Sequence, residues 1–182
     1  ERVLWNHLLA AIDPETGMNC YYMPLAPGTA RDHSNMDDSW WCCVGTGMEN
    51  PARYAESIYF REGERTLYIS QFISSEVFLR DVGLRFRVTS GLPSSGSLKI
   101  EVLEGNADFE IVIRHPSWAP ARFQVKAGNA PFRDSQKPGE FLRIKRQWIR
   151  RQVVNISLPA VLRTEAMPDN PNRFSLFYGP VL

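Results

Sequence analysis

Residues 84–114 read LRFRVTSGLPSSGSLKIEVLEGNADFEIVIR. Within this stretch, LRFRVTS (84–90), SLKIEVLE (97–104) and DFEIVIR (108–114) alternate apolar and polar side chains, and turns of Gly, Pro, Ser and Asn separate them. Successive side chains of a strand point to opposite faces, so the alternation places Leu84, Phe86 and Val88 on one side, and likewise Leu98, Ile100 and Val102. RFQVKA (122–127), FLRIK (141–145) and VNISL (154–158) repeat the pattern further on. Short strands with one polar face, spaced by turns, predict an antiparallel β-sandwich in which each sheet keeps one face in water.

The sandwich pattern begins near residue 57, and what precedes it has a different character. Leu4, Trp5, Leu8, Leu9 and Ile12 have helical spacing over residues 2–12, spread too widely for one narrow stripe, which predicts a helix covered on more than one side. DPETG (13–17) ends it, and residues 18–41 form a long aperiodic loop. In ENPARYAES (49–57) Asn50 as N-cap and Pro51 at the first helical position predict a short helix, and VGTG (44–47) before it reads as a place where the backbone turns sharply. The expected division is therefore 1–56, a helix and loop region holding all three cysteines, and 57–182, a mainly β domain.

Bulk properties narrow the functions. The 182 residues are 43% hydrophobic, enough for a substantial core, and 21 basic against 20 acidic side chains leave a formal charge of +1. That balance provides no footprint for nucleic acid, and KRQWIRR (145–151) reads as a solvated hairpin rather than a basic platform. No apolar run approaches the roughly 20 residues of a bilayer span. The first residue is not Met and the last residues, FSLFYGPVL, are an apolar strand-like run, so a piece of a longer chain is expected, with its localisation not legible. Against such a cut, the first helix is expected to lack partners, which makes a homo-oligomer one outcome.

The chemistry lies in SWWCCVGTGMENPARYAESIYF (39–60). Adjacent cysteines do not readily bridge each other, so a disulfide framework is not expected, and the one bridge left open joins Cys20, the only other cysteine, to either of them. Cys42 and Cys43 read either as small hydrophobes packed beside Trp40 and Trp41, or as thiolates that bind a metal or attack carbon. Cys20, His33, Asp37, Asp38 and Glu49 are further donor types, none at a diagnostic spacing for zinc. His33 reads as a solvated loop residue, and His7 and His115 as packing or surface groups.

Residues 39–60, preceded by GMNCYYMPLAPG (17–28), resemble glycoside hydrolase family 127, the β-L-arabinofuranosidase-like enzymes. IRHPSWA (113–119), PGEFLRIKRQW (138–148) and MPDNPNRFSLFYGPVL (167–182) resemble the β-domain of that family. The resemblance implies the end of an (α/α)6 catalytic barrel followed by a β-sandwich, in a retaining hydrolase of L-arabinofuranosides or related glycans. It further implies Cys42 as nucleophile, with Cys42 and Cys43 as zinc ligands. The remaining zinc donors, a glutamate and a cysteine, and the acid and base glutamate lie upstream of the matched segment, so the isolated chain is expected to be inactive and to hold zinc weakly or not at all. RRQV (150–153) departs from the family, which favours a glycine and aspartate turn there. The rival reading is a non-catalytic β-sandwich module that packs on a neighbouring domain or binds carbohydrate through Trp118, Phe141 and Trp148, although those three read more readily as core.

Overall fold

A computed structural model describes residues 1–24, 26, 28–39, 41–120, 124–128, 130–132 and 137–182, with the backbone alone for Cys43, Ala130 and Phe132. Two compact units make up the chain, Glu1–Glu56 with Val181, and Ser57–Pro180 with Leu182.

In the second unit the described residues form twelve strands, in order β1 (Tyr59–Glu62), β2 (Thr66–Ile69), β3 (Ser75–Leu79), β4 (Leu84–Ser90), β5 (Ser97–Glu104), β6 (Asn106–Arg114), β7 (Gln124–Ala127), β8 (Ala130–Phe132), β9 (Phe141–Ile149), β10 (Val153–Ser157), β11 (Leu162–Ala166) and β12 (Phe174–Tyr178). A four-stranded sheet has the order β1-β2-β6-β9, a six-stranded sheet the order β3-β4-β5-β10-β7-β8, and β11 pairs with β12 in a hairpin. The two larger sheets contribute to one apolar core, as the alternation requires: Leu84, Phe86, Val88, Leu98, Ile100 and Val102 are all buried, together with Leu67, Phe109, Ile111 and Ile144 from the other sheet. Phe86 meets Trp148 edge-on at 5.9 Å between ring centroids and Phe109 at 6.3 Å. The Trp148 indole N–H donates to the Phe109 carbonyl at 2.9 Å, so the large ring is buried without an orphaned donor.

β4 and β5 have the limits that the alternation gave, whereas β9 runs on to Ile149 through KRQWI. The expected hairpin at 145–151 is not formed: β9 belongs to the four-stranded sheet and β10 to the six-stranded one, so residues 150–152 carry the chain between sheets. Arg151 has φ +72° in this crossing, which gives a backbone reason for a glycine at such a corner. The sandwich is not wholly antiparallel, because β2 pairs parallel to β6. Trp118 and Trp148 are core residues as read, but Phe141 is not; it opens β9 on the outward face and is 43% exposed. Arg122 and Phe123, placed in a strand by the sequence, lie outside the described residues.

In the first unit the helical segment spans residues 2–8 and gives way to a turn at 9–11. Its last part, Leu4–Leu8, is a π-helical turn closed by Leu9 N–H to the Leu4 carbonyl, and none of its residues is buried. The expected short helix at 49–57 is instead the end of a longer one, α1 (Cys42–Arg53), continued by a 3-10 turn at Tyr54–Ser57. Trp41, not Asn50, is its N-cap, and Pro51 lies inside it. A proline two residues from the end removes one amide donor and crowds the turn before it, consistent with the α-helix stopping at Arg53.

Candidate functional site around Cys42

Cys42 is the first residue of α1 and is exposed; Cys43 follows in the same turn, and its side chain lies outside the described residues, as does all of Trp40. Trp41 enters the helix in extended conformation (φ −73°, ψ 147°) without a side-chain cap, and Val44 N–H closes the first turn on the Trp41 carbonyl at 3.1 Å. The Trp41 ring, 39% exposed, lies 5.4 Å from that of Tyr21, which in turn packs edge-on against Tyr22 at 4.4 Å. The long loop thereby reaches the end of α1 that carries the cysteines.

Gly45 and Gly47 are helical, so VGTG makes no sharp turn. The reason for a glycine is visible at the second: a Cβ on Gly47 would sit 2.2 Å from Asn19 Nδ2, whereas one on Gly45 would meet nothing within 4 Å. Asn19 is held by its backbone, which bridges Ile12, accepts from Ser34 N–H at 2.9 Å and donates to Ser34 Oγ at 3.2 Å. Before it, Asp13 ties the turn by accepting from Thr16 Oγ1 at 2.6 Å and Glu15 N–H at 3.1 Å; these bonds, that to Thr16 foremost, lower its pKa.

Cys20 is a buried thiol whose Sγ donates to the Tyr22 carbonyl at 3.2 Å, and neither it nor Cys42 is in a disulfide. His33 is not a solvated loop residue: it is partly buried, its backbone bridges Cys20, and its Nε2 has no hydrogen-bond partner among the described residues. A cavity of about 190 Å³ opens between the first helical segment, the loop and α1, where His7, Asn19, Thr46, Asn50 and Tyr54 give it a polar lining. Burial raises the Tyr54 phenol, and its hydroxyl has no hydrogen-bond partner among the described residues. His115, by contrast, belongs to the sandwich, fully buried with Nε2 at 3.0 Å from the Pro120 carbonyl.

As to metal, the described residues include no group of three or more His, Cys, Asp or Glu side chains placed to hold an ion. The Cys42–Cys43 pair fits zinc by donor type and fills at most half of a tetrahedral shell. Asn19 and Tyr21 escaped the sequence reading, since nothing local marks an Asn or Tyr that meets a helix many residues away, and so did Tyr54, the C-cap of α1, because the helix pattern does not mark the cavity it lines; the helical Gly47 was the available signal.

The profile described as "Beta-L-arabinofuranosidase, GH127 middle domain" matches residues 66–160, more than half of the chain. The chain belongs to the GH127 β-L-arabinofuranosidase family. The GH127 catalytic-domain profile matches residues 1–56, the segment that holds Cys42 and Cys43. Among solved structures, the chain is similar to a GH127 β-L-arabinofuranosidase from Geobacillus stearothermophilus T6 (18% identity, TM-score 0.67, 76% of this chain and 23% of that one). A protein titled a glycoside hydrolase (15%, TM-score 0.81, 97% and 32%) and a GH127 β-arabinofuranosidase (20%, TM-score 0.77, 97% and 31%) share the fold as well. At these identities the likeness speaks for the fold, and the chain spans about a quarter to a third of each GH127 or glycoside hydrolase relative. No curated protein matches it by sequence.

Proposed function

We propose that this chain is the part of a retaining β-L-arabinofuranoside hydrolase that carries the nucleophile, Cys42, and that Cys42 and Cys43 give two thiolates to a zinc site completed elsewhere in a longer protein. The supporting observation is the match of residues 1–56 to the GH127 catalytic domain, with Cys42 exposed on the first turn of α1. Retention needs two displacements at the anomeric carbon. In the first, Cys42 Sγ forms a bond to C1 as the C1–O bond to the leaving group breaks and that oxygen takes a proton from an acid. In the second, water replaces sulfur at C1 and gives its proton back to the same group. A bound zinc ion would keep its thiolates deprotonated at neutral pH.

The test uses the full-length protein. Cys42→Ala is expected to lower turnover of an aryl β-L-arabinofuranoside by roughly three orders of magnitude or more, and Cys43→Ser to lower the bound zinc. Turnover indifferent to Cys42→Ala in a zinc-free protein would favour the rival reading of a sandwich module unrelated to thiolate chemistry. The 182-residue chain alone is expected to hydrolyse nothing and to lose added zinc on dialysis; stoichiometric retained metal with turnover would place the whole site within it.

A further inference from the structure

The outward face of the β1-β2-β6-β9 sheet has a construction that the core does not explain. Register places Glu62, Thr66, Glu110 and Lys145 in one row across the four strands, and Phe60, Tyr68, Val112 and Arg143 in the next. Arg143 reaches from β9 across β6 to β2: its Nη1 donates to Glu110 at 2.7 Å, and its Nη2 to the Tyr68 hydroxyl at 2.6 Å and to Glu62 at 3.3 Å. The Tyr68 O–H donates onward to Glu62 at 2.7 Å. This bridge explains why Val112 is fully buried on a face that looks to solvent.

Beside the bridge stands an aromatic shelf. Phe141 meets Tyr68 edge-on at 5.6 Å and is 43% exposed, and Phe60 is 49% exposed. On the other side a hollow of about 430 Å³ is lined by Arg65, Thr66, Asp108, Glu110 and Lys145. Phe141, Arg143 and Lys145 are alternate residues of β9, so shelf, bridge and hollow follow one line of about 13 Å at the rise of an extended strand.

We propose that this face binds a neutral oligosaccharide, with a sugar ring on the Phe141 and Tyr68 shelf and hydroxyls along Arg143, Glu110 and Lys145. The charges select the class. Glu62, Asp108 and Glu110 face Arg65, Arg143 and Lys145, and the one further cation of this face among the described residues, the half-buried Arg114 opposite Phe141, is turned to the Ser70 carbonyl, so the face presents fixed donors and acceptors in alternation with a single excess positive charge rather than a strong field for an anion. A sugar matches that arrangement, since one side of its ring carries C–H bonds that lie on an aromatic surface while its rim carries hydroxyls that both donate and accept. Because Arg143 and Tyr68 are already held by their partners, little side-chain freedom is lost on binding.

The experiment titrates an isotope-labelled 182-residue chain with a neutral L-arabino-oligosaccharide, followed by amide shifts, and separately with polygalacturonate as an anionic probe. Saturable shifts confined to the outward residues of β2, β6 and β9 are expected, weakened about tenfold by Phe141→Ala and kept by Phe141→Tyr. Lys145→Ala, which leaves the bridge intact, is expected to weaken binding too. Cys42→Ala is expected to bind as the parent chain does, so a failure here and a failure of the thiolate reading are told apart. Absence of saturation, affinity unchanged in both Phe141→Ala and Lys145→Ala, or tighter binding of polygalacturonate would each overturn the proposal.

Discussion

Gly45 and Gly47 stand two residues apart in one helix, and their surroundings give them opposite sensitivities. Glycine in a helix interior costs about 1 kcal/mol relative to alanine, and a Cβ at Gly45 meets open space. Gly45→Ala is therefore expected to stabilise by about 0.5–1 kcal/mol in urea unfolding followed by circular dichroism. Gly47→Ala is expected to show no such gain, because Asn19 must give way, and Gly47→Ala combined with Asn19→Ala to recover it. A similar contrast holds at the sheet crossing. A β-branched side chain at the left-handed φ of Arg151 is strained, so Arg151→Val is expected to cost about 1–2 kcal/mol, against little change for Arg150→Val. The sequence marked both sites by their unusual residues, glycines in a would-be turn and an arginine where the family favours a glycine turn. It misassigned what each does, since a glycine required by an approaching side chain and one required by dihedral freedom look alike in one dimension.

At the scale of elements, legibility followed the period of the pattern. β4 and β5 alternate without interruption over seven and eight residues, and their limits could be read directly. β1, β2 and β3 have four or five residues, too few for the alternation to separate them individually, and the parallel partnership of β2 and β6 leaves no local mark at all. α1 was hidden because its first half is rich in glycine and its true cap, Trp41, has none of the usual capping chemistry. Core membership can be tested at Phe86, which is fully buried between Trp148 and Phe109; Phe86→Ala is expected to cost about 3–5 kcal/mol. On the opposite face of the four-stranded sheet, the hydrogen bond from Tyr68 and the Arg143 guanidinium lower the Glu62 carboxyl below its ordinary value. A carboxyl with a depressed folded value contributes stability above its unfolded pKa and loses it as pH falls through the folded one. The acid side of the stability profile, below about pH 4.5, is therefore expected to flatten in Glu62→Gln, most visibly at low salt.

For the whole molecule, the sequence conveyed a change of character near residue 57 and a mainly β second part, while the roles expected of the two cysteines came from family resemblance alone and the side chains around them were not legible. The thiol pair has no diagnostic spacing, and the groups packed about α1 come from a loop without periodicity. The hairpin of β11 and β12 shows the same limit of one-dimensional reading. Its apolar residues suggest burial, yet Leu162, Phe174, Leu176 and Tyr178 are all more than half exposed, and it is Phe177 that packs inward, under the Arg163 guanidinium at 4.5 Å. An exposed apolar face of this kind takes up hydrophobic dyes. Phe174→Ser with Leu176→Ser is expected to lower dye binding while moving stability by no more than about 0.5 kcal/mol per site.

The parallel pairing of β2 with β6 also governs time. Thr66 and Glu110, neighbours across that pair, are 44 residues apart in sequence, whereas β3, β4 and β5 are joined in sequence order by short turns. A nascent chain that has released β1 and β2 holds a two-stranded ribbon with an uncovered apolar side, and such a ribbon is marginal until a third strand arrives. It must wait while β3, β4 and β5 form their own meander, and β6 then locks beside it. The slow event in folding is thus expected to be the closing of this long loop, so that Ile111→Val, in β6, slows refolding while Val77→Ala, in β3, chiefly speeds unfolding.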